Sequence, residues 1–172
     1  MRERNINNLQ KFCIKARQER CRNCIGIVYN KDTYLYYGRD NGIMKVMFII
    51  PPHDINKISP VEEELRNLYK ELFDKDIYKY AYITRSVKCN IKDDDKIQEA
   101  FKSCKQHIFN EICFHTPSIV FVVGNKYSFI KEEFEYIFPY AKFIILPSPL
   151  TKNINISAYN KLKELLKQYV IL

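Results

Sequence analysis

Four short apolar runs dominate the chain: "IMKVMFII" from Ile43, "YAYITRSV" from Tyr80, "SIVFVV" from Ser118 and "KFIIL" from Lys142. Each ends at a chain breaker or a polar turn, and a stretch with helical apolar spacing separates each from the next. The first run stops at Pro51-Pro52, where neither residue can donate to a sheet ladder. The third ends at Gly124 and the fourth at "PSP". Strands alternating with helices imply βαβ units, hence a mostly parallel sheet covered on both sides. The expected fold is α/β, a three-layer α/β/α sandwich around four strands. In such sheets ligands bind beyond the carboxyl ends of the strands. Those ends are Pro51–Asp54, Arg85–Cys89, Gly124–Tyr127 and Leu146–Pro149.

The intervening helices can be read one by one. Ser59-Pro60-Val61-Glu62 has the form of a capping box, with Ser59 as N-cap, Pro60 at the first helical position and Glu62 reaching back to the cap amide. Val61, Leu65, Leu68 and Leu72 then mark one apolar face. Residues 94–114 predict a helix whose buried stripe is Ile97, Phe101, Cys104, Ile108 and Ile112, so that Cys104 points inward. His107 and His115 are expected at the surface or at a helix end. A short helix should carry Phe129, Phe134 and Ile137, and a last one Leu162, Leu165, Leu166 and Tyr169. Upstream, Ile6, Leu9, Phe12 and Ala16 predict an amphipathic helix over residues 5–20, and alternation around Asn30-Lys31-Asp32 suggests a hairpin.

A length of 172 residues fits one domain, with a basic N-terminal helix and Cys-x-x-Cys segment at 1–24 and an α/β core over 43–172. No apolar run reaches the roughly 18 residues of a membrane span. The polar start "MRERNINNLQ" has no apolar signal core, so a cytoplasmic location is expected and the six cysteines should be thiols or metal ligands rather than disulfides. Net charge is +8, and residues 1–24 hold seven Lys and Arg against Glu3 and Glu19. That asymmetry suits a polyanionic partner, DNA first, although a solvated basic face accounts for it as well.

Cys21 and Cys24 form one tight pair, "CRNC"; Cys89 stands at the end of the second strand, and fourteen residues separate it from Cys104 on a helix. A zinc ribbon needs two close pairs and only one is present. A pair and two single thiols can still converge around an iron–sulfur cubane. Spacing leaves three readings open: cluster ligands, a zinc site, or separate small core residues.

The series C-x2-C, "GIMKVMFII", "YITRSVKC", a helical cysteine, "PSIVFVVG" and "LPSP" resembles the iron–sulfur branches, families four and five, of the uracil-DNA glycosylase superfamily. The resemblance runs over about residues 9–149. It implies a three-layer sandwich on a four-stranded parallel sheet, with Cys21, Cys24, Cys89 and Cys104 as ligands of a structural [4Fe-4S] cluster and DNA as partner. Cys13 and Cys113 have no counterpart and are expected to be core thiols.

The same resemblance exposes departures at the positions that would excise a base. The loop acid of the family falls on Pro51, with His53 and Asp54 close by as the only substitutes, and the loop carrying a stacking aromatic is missing between Asp54 and Ser59. The base-reading asparagine is Arg85, whose guanidinium has donors but no acceptor. The histidine that steadies the departing base is Leu146. Pro147-Ser148-Pro149 matches the stiff loop that presses into the minor groove, and is otherwise a rigid turn. The expected function is therefore DNA binding in repair or replication, with a protein partner in those processes, and a lost or strongly altered glycosylase site. Two alternatives stand: an active DNA glycosylase using Asp54 and His53 with Arg85 for recognition, and a zinc-bound or metal-free interaction module.

Overall fold

The structure, a computed structural model, describes residues 44–53, 57–89, 91 and 93–170. The basic N-terminal helix, the hairpin, the Cys21-Cys24 pair, Cys13 and Asp54 lie outside the described residues.

Strand β1 (Val46–Ile50) leads to helix α1 (Pro60–Phe73) and strand β2 (Ala81–Arg85); helix α2 (Ile97–His115) leads to β3 (Ile119–Val123); helix α3 (Ser128–Phe134) leads to β4 (Lys142–Leu146) and the final helix α4 (Ile156–Tyr169). The four strands form one sheet in the order β2-β1-β3-β4, every neighbouring pair parallel. This is the expected α/β architecture. Helices cover both faces because successive strand residues point to opposite sides. Phe48, Ile50, Ala81, Ile83, Phe121, Val123 and Leu146 pack with Leu65, Leu68, Leu162 and Leu166 from α1 and α4. Met47, Ile49, Tyr82, Val120, Val122 and Phe143 pack with Ile108, Ile112, Ile130 and Phe134 from α2 and α3. Phe48 and Phe121, register partners on β1 and β3, stack with centroids 4.9 Å apart.

Local details correct four expectations. Ser59 is the N-cap of α1, but its side chain makes no capping bond. Glu62 instead turns inward and accepts the Tyr78 hydroxyl at 2.7 Å, so a tertiary partner wins the carboxylate from the local box. His107 and His115 are buried, although His115 does close α2. Cys113 is exposed. It lies nine residues beyond Cys104, about two and a half turns, which puts it on the opposite side of α2 from the buried stripe. Ile137 falls beyond the end of α3 and is half exposed.

Candidate functional site

The carboxyl ends of the strands form a rim, and the strand order reverses between β1 and β3. The chain moves outward from β1 to β2, then crosses back over β1 to reach β3. The ligand crevice of an open parallel sheet belongs at that reversal. Its two walls are Pro51–His53 after β1 and the Gly124–Tyr127 turn after β3. Gly124 has φ of 98°, and a β-carbon there would meet the Tyr127 ring at 3.0 Å, so both its backbone and its missing side chain are needed for the turn. Its amide donates to Leu146 O at 2.8 Å, which ties the ends of β3 and β4.

Arg85, the last residue of β2, is buried. Its Nη1 donates to His53 O at 2.7 Å and its Nη2 to Lys57 O at 3.2 Å. The guanidinium thus joins the His53 and Lys57 carbonyls, and His53 is half-buried on the rim. Two charge-assisted bonds to main-chain carbonyls hold a loop that Pro51 and Pro52 already stiffen.

Past β4, Ser148 caps a 3-10 turn over Pro149–Asn153: its Oγ accepts from the Leu150 amide at 3.3 Å, and its carbonyl accepts the Thr151 hydroxyl at 2.7 Å. Pro147 and Pro149 are buried, Ser148 is half-buried, and Leu150 is the exposed side chain. Loop stiffness therefore comes from the prolines named in the sequence, while the surface at the tip belongs to Leu150.

On the α2 side of the rim, residues 85–89 after β2 are all buried. The Ser86 amide donates to Ile50 O at 2.8 Å and prolongs the ladder by one step. Two residues on, the Lys88 amide donates to Cys104 Sγ at 3.3 Å. Cys104 on α2 is thereby held against the segment that carries Cys89, the next residue after the donor, and both thiols are buried. A main-chain N–H aimed at sulfur is the kind of contact that favours a thiolate and tunes a metal bound to it. Among the described residues, no three His, Cys, Asp or Glu side chains gather closely enough to hold a metal. The described part of the expected ligand set is thus Cys89 and Cys104; both are buried, and Cys104 has an amide donor.

The side chain of Lys88 opens a network that the sequence reading missed. Its Nζ meets Glu111 Oε2 at 2.6 Å, with both side chains at 0% exposure, and also donates to Thr84 Oγ1. Thr84 Oγ1 donates to Glu111 Oε1 at 2.9 Å, and the Tyr82 hydroxyl donates to the same oxygen at 2.8 Å. His115 packs on the Tyr82 ring with centroids 4.0 Å apart, and its Nδ1 accepts from the Met44 amide at 3.4 Å. One signal was available. His107, Glu111 and His115 follow Cys104 at helical spacing, on the stripe that also holds Ile108 and Ile112.

No family model matches the chain, and no curated protein matches it either. No helix of the described residues is long and apolar enough to cross a membrane.

Proposed function

We propose that the chain is an iron–sulfur, DNA-binding protein of the uracil-DNA glycosylase-like class, an accessory factor of repair or replication whose base-excision site is lost or strongly altered. The observation that carries this reading is the Lys88 amide bond to Cys104 Sγ at 3.3 Å, a contact between the helical thiol and the residue that precedes Cys89. The all-parallel four-stranded sheet supports it, as does the basic balance of the chain. Arg85 supports the altered site. At the position expected to read a base edge, its guanidinium is buried and bonded to His53 O and Lys57 O. The exposed Leu150, on a turn stiffened by Pro147 and Pro149, supplies an apolar tip of the sort that wedges between base steps.

Anaerobically purified protein is expected to be brown, with iron and sulfide in equal amounts, and to bind duplex DNA with an affinity that falls steeply with salt. Colourless, iron-free protein, or binding indifferent to ionic strength, would reject the proposal. The half-buried position of His53 on the rim favours one second reading, an active glycosylase in which His53 and Asp54 carry out the chemistry. Oligonucleotides carrying uracil, hypoxanthine or an alkylated base, incubated and then treated with alkali, decide between the two. Scission that Asp54→Ala abolishes would establish the enzyme.

A further inference from the structure

Lys88 is attached to α2 at two points on the same side of that helix. Its main-chain amide donates to Cys104 Sγ at 3.3 Å, and its ammonium meets Glu111 Oε2 at 2.6 Å. Cys104 and Glu111 are seven residues apart, about 10 Å along the axis. The lysine therefore runs alongside α2 as a strut, and Cys89 is the residue that follows it. Glu111 is fixed in turn from β2, by the Tyr82 hydroxyl at 2.8 Å and by Thr84 Oγ1 at 2.9 Å and 3.1 Å. Thr84 Oγ1 gives its proton to the carboxylate and accepts from Lys88, so one hydroxyl serves both charges.

An ion pair at 0% exposure is a poor device for stability alone, because apolar residues of the same volume often serve as well or better. What the pair adds is position. It fixes the height of Lys88, and so of the residue that follows it, Cys89, against α2. We infer that Lys88 and Glu111 are positioning residues for a metal centre at Cys89 and Cys104, holding the segment that carries Cys89 in place against the helix that carries Cys104. The inference rests on the iron–sulfur reading above and adds to it a support that touches no iron.

The test compares wild-type protein with a Lys88→Met/Glu111→Leu double variant, both purified anaerobically. Fold is followed by circular dichroism and Tm, and iron release to a chelator is timed on the folded protein. The double variant is expected to stay folded and to lose iron about 10–100-fold faster, the usual cost of removing a group that orients a metal ligand. Glu111→Gln is measured beside it, since its one amide oxygen can still accept from Tyr82 and Thr84 while the charge and the acceptor facing Lys88 are lost; it too is expected to release iron faster. Release at the wild-type rate from either folded variant would overturn the inference and leave the iron–sulfur reading intact. Wild-type protein with no iron would overturn both.

Discussion

On the α1/α4 face of the sheet, Glu62 takes the Tyr78 hydroxyl, the buried Arg85 donates to main-chain carbonyls of His53 and Lys57, and the Tyr69 hydroxyl has no hydrogen-bond partner among the described residues. On the α2/α3 face, Tyr82, Thr84, Lys88 and Glu111 are joined in one network that borders Cys89 and Cys104. Both faces bury a comparable set of aliphatic and aromatic side chains from the same four strands. Apolar packing of that kind secures a parallel sheet without help from buried charge. The buried ion pair is therefore found on the face that carries the two thiols, where the proposed centre would use fixed positions, and the other face has no buried ion pair among the described residues.

The sharpest way to break this comparison is to remove a charge from the network. Glu111→Ala leaves Lys88 buried without its counter-charge, and is expected to lower unfolding free energy by about 3–5 kcal/mol in urea denaturation. On the opposite face, Leu65→Ala opens a cavity under β1 and is expected to cost about 2–5 kcal/mol. The two losses overlap in size, so iron content per folded chain distinguishes them. It should fall in Glu111→Ala and stay at the wild-type level in Leu65→Ala. Equal iron in both would mean that the two faces differ in polarity alone.

These faces were not equally legible in the sequence. Four apolar runs with Pro, Gly and polar turns at their ends announce the strands, since a continuous short run fits only a strand covered on both sides. Helical spacing placed Cys104 inward for the same reason. Glu111, His107 and His115 occupy the same stripe, yet charge and polarity argue for water until a partner is known. Those partners, Tyr82, Thr84 and Lys88, come from a strand and a turn more than twenty residues earlier in the chain than Glu111, and local pattern carries no trace of that meeting. Glu62 failed as a capping residue on similar grounds, because Tyr78 is sixteen residues away. At the rim, Arg85 reads as a departure from a motif, whereas its grip on His53 O and Lys57 O depends on where the loop after β1 runs.

Tyr69 offers a smaller and more selective probe of the α1/α4 face. Burial, with a lesser contribution from nearby Tyr80, pushes its phenol from 10.0 up to about 12. The unfolded chain releases this proton near pH 10 while the folded chain keeps it, so between those values the unfolded state holds fewer protons and stability falls as pH rises. Below pH 10 the contribution is complete. Above it the expected loss is about 1.4 kcal/mol per pH unit until about pH 12. Tyr69→Phe should flatten this alkaline limb, and at pH 7 should cost little, because the hydroxyl it removes has no hydrogen-bond partner among the described residues. An unchanged slope in the variant would show that another group titrates there.

The smallest effect belongs to a position outside the network. Asn155 caps α4 by accepting the Ala158 amide on its side-chain oxygen at 3.0 Å. That amide is one of the unpaired donors every helix start leaves open, and alanine cannot satisfy it. Asn155→Ala is expected to cost about 1 kcal/mol, read as a lower denaturation midpoint at constant slope. Aspartate in its place should restore most of the loss, since a carboxylate accepts the same bond and favours the positive end of the helix dipole. Because α4 packs on the face that has no connected network, neither variant should change iron content or its release; a change in either would mean that the α1/α4 layer also helps to place the thiols.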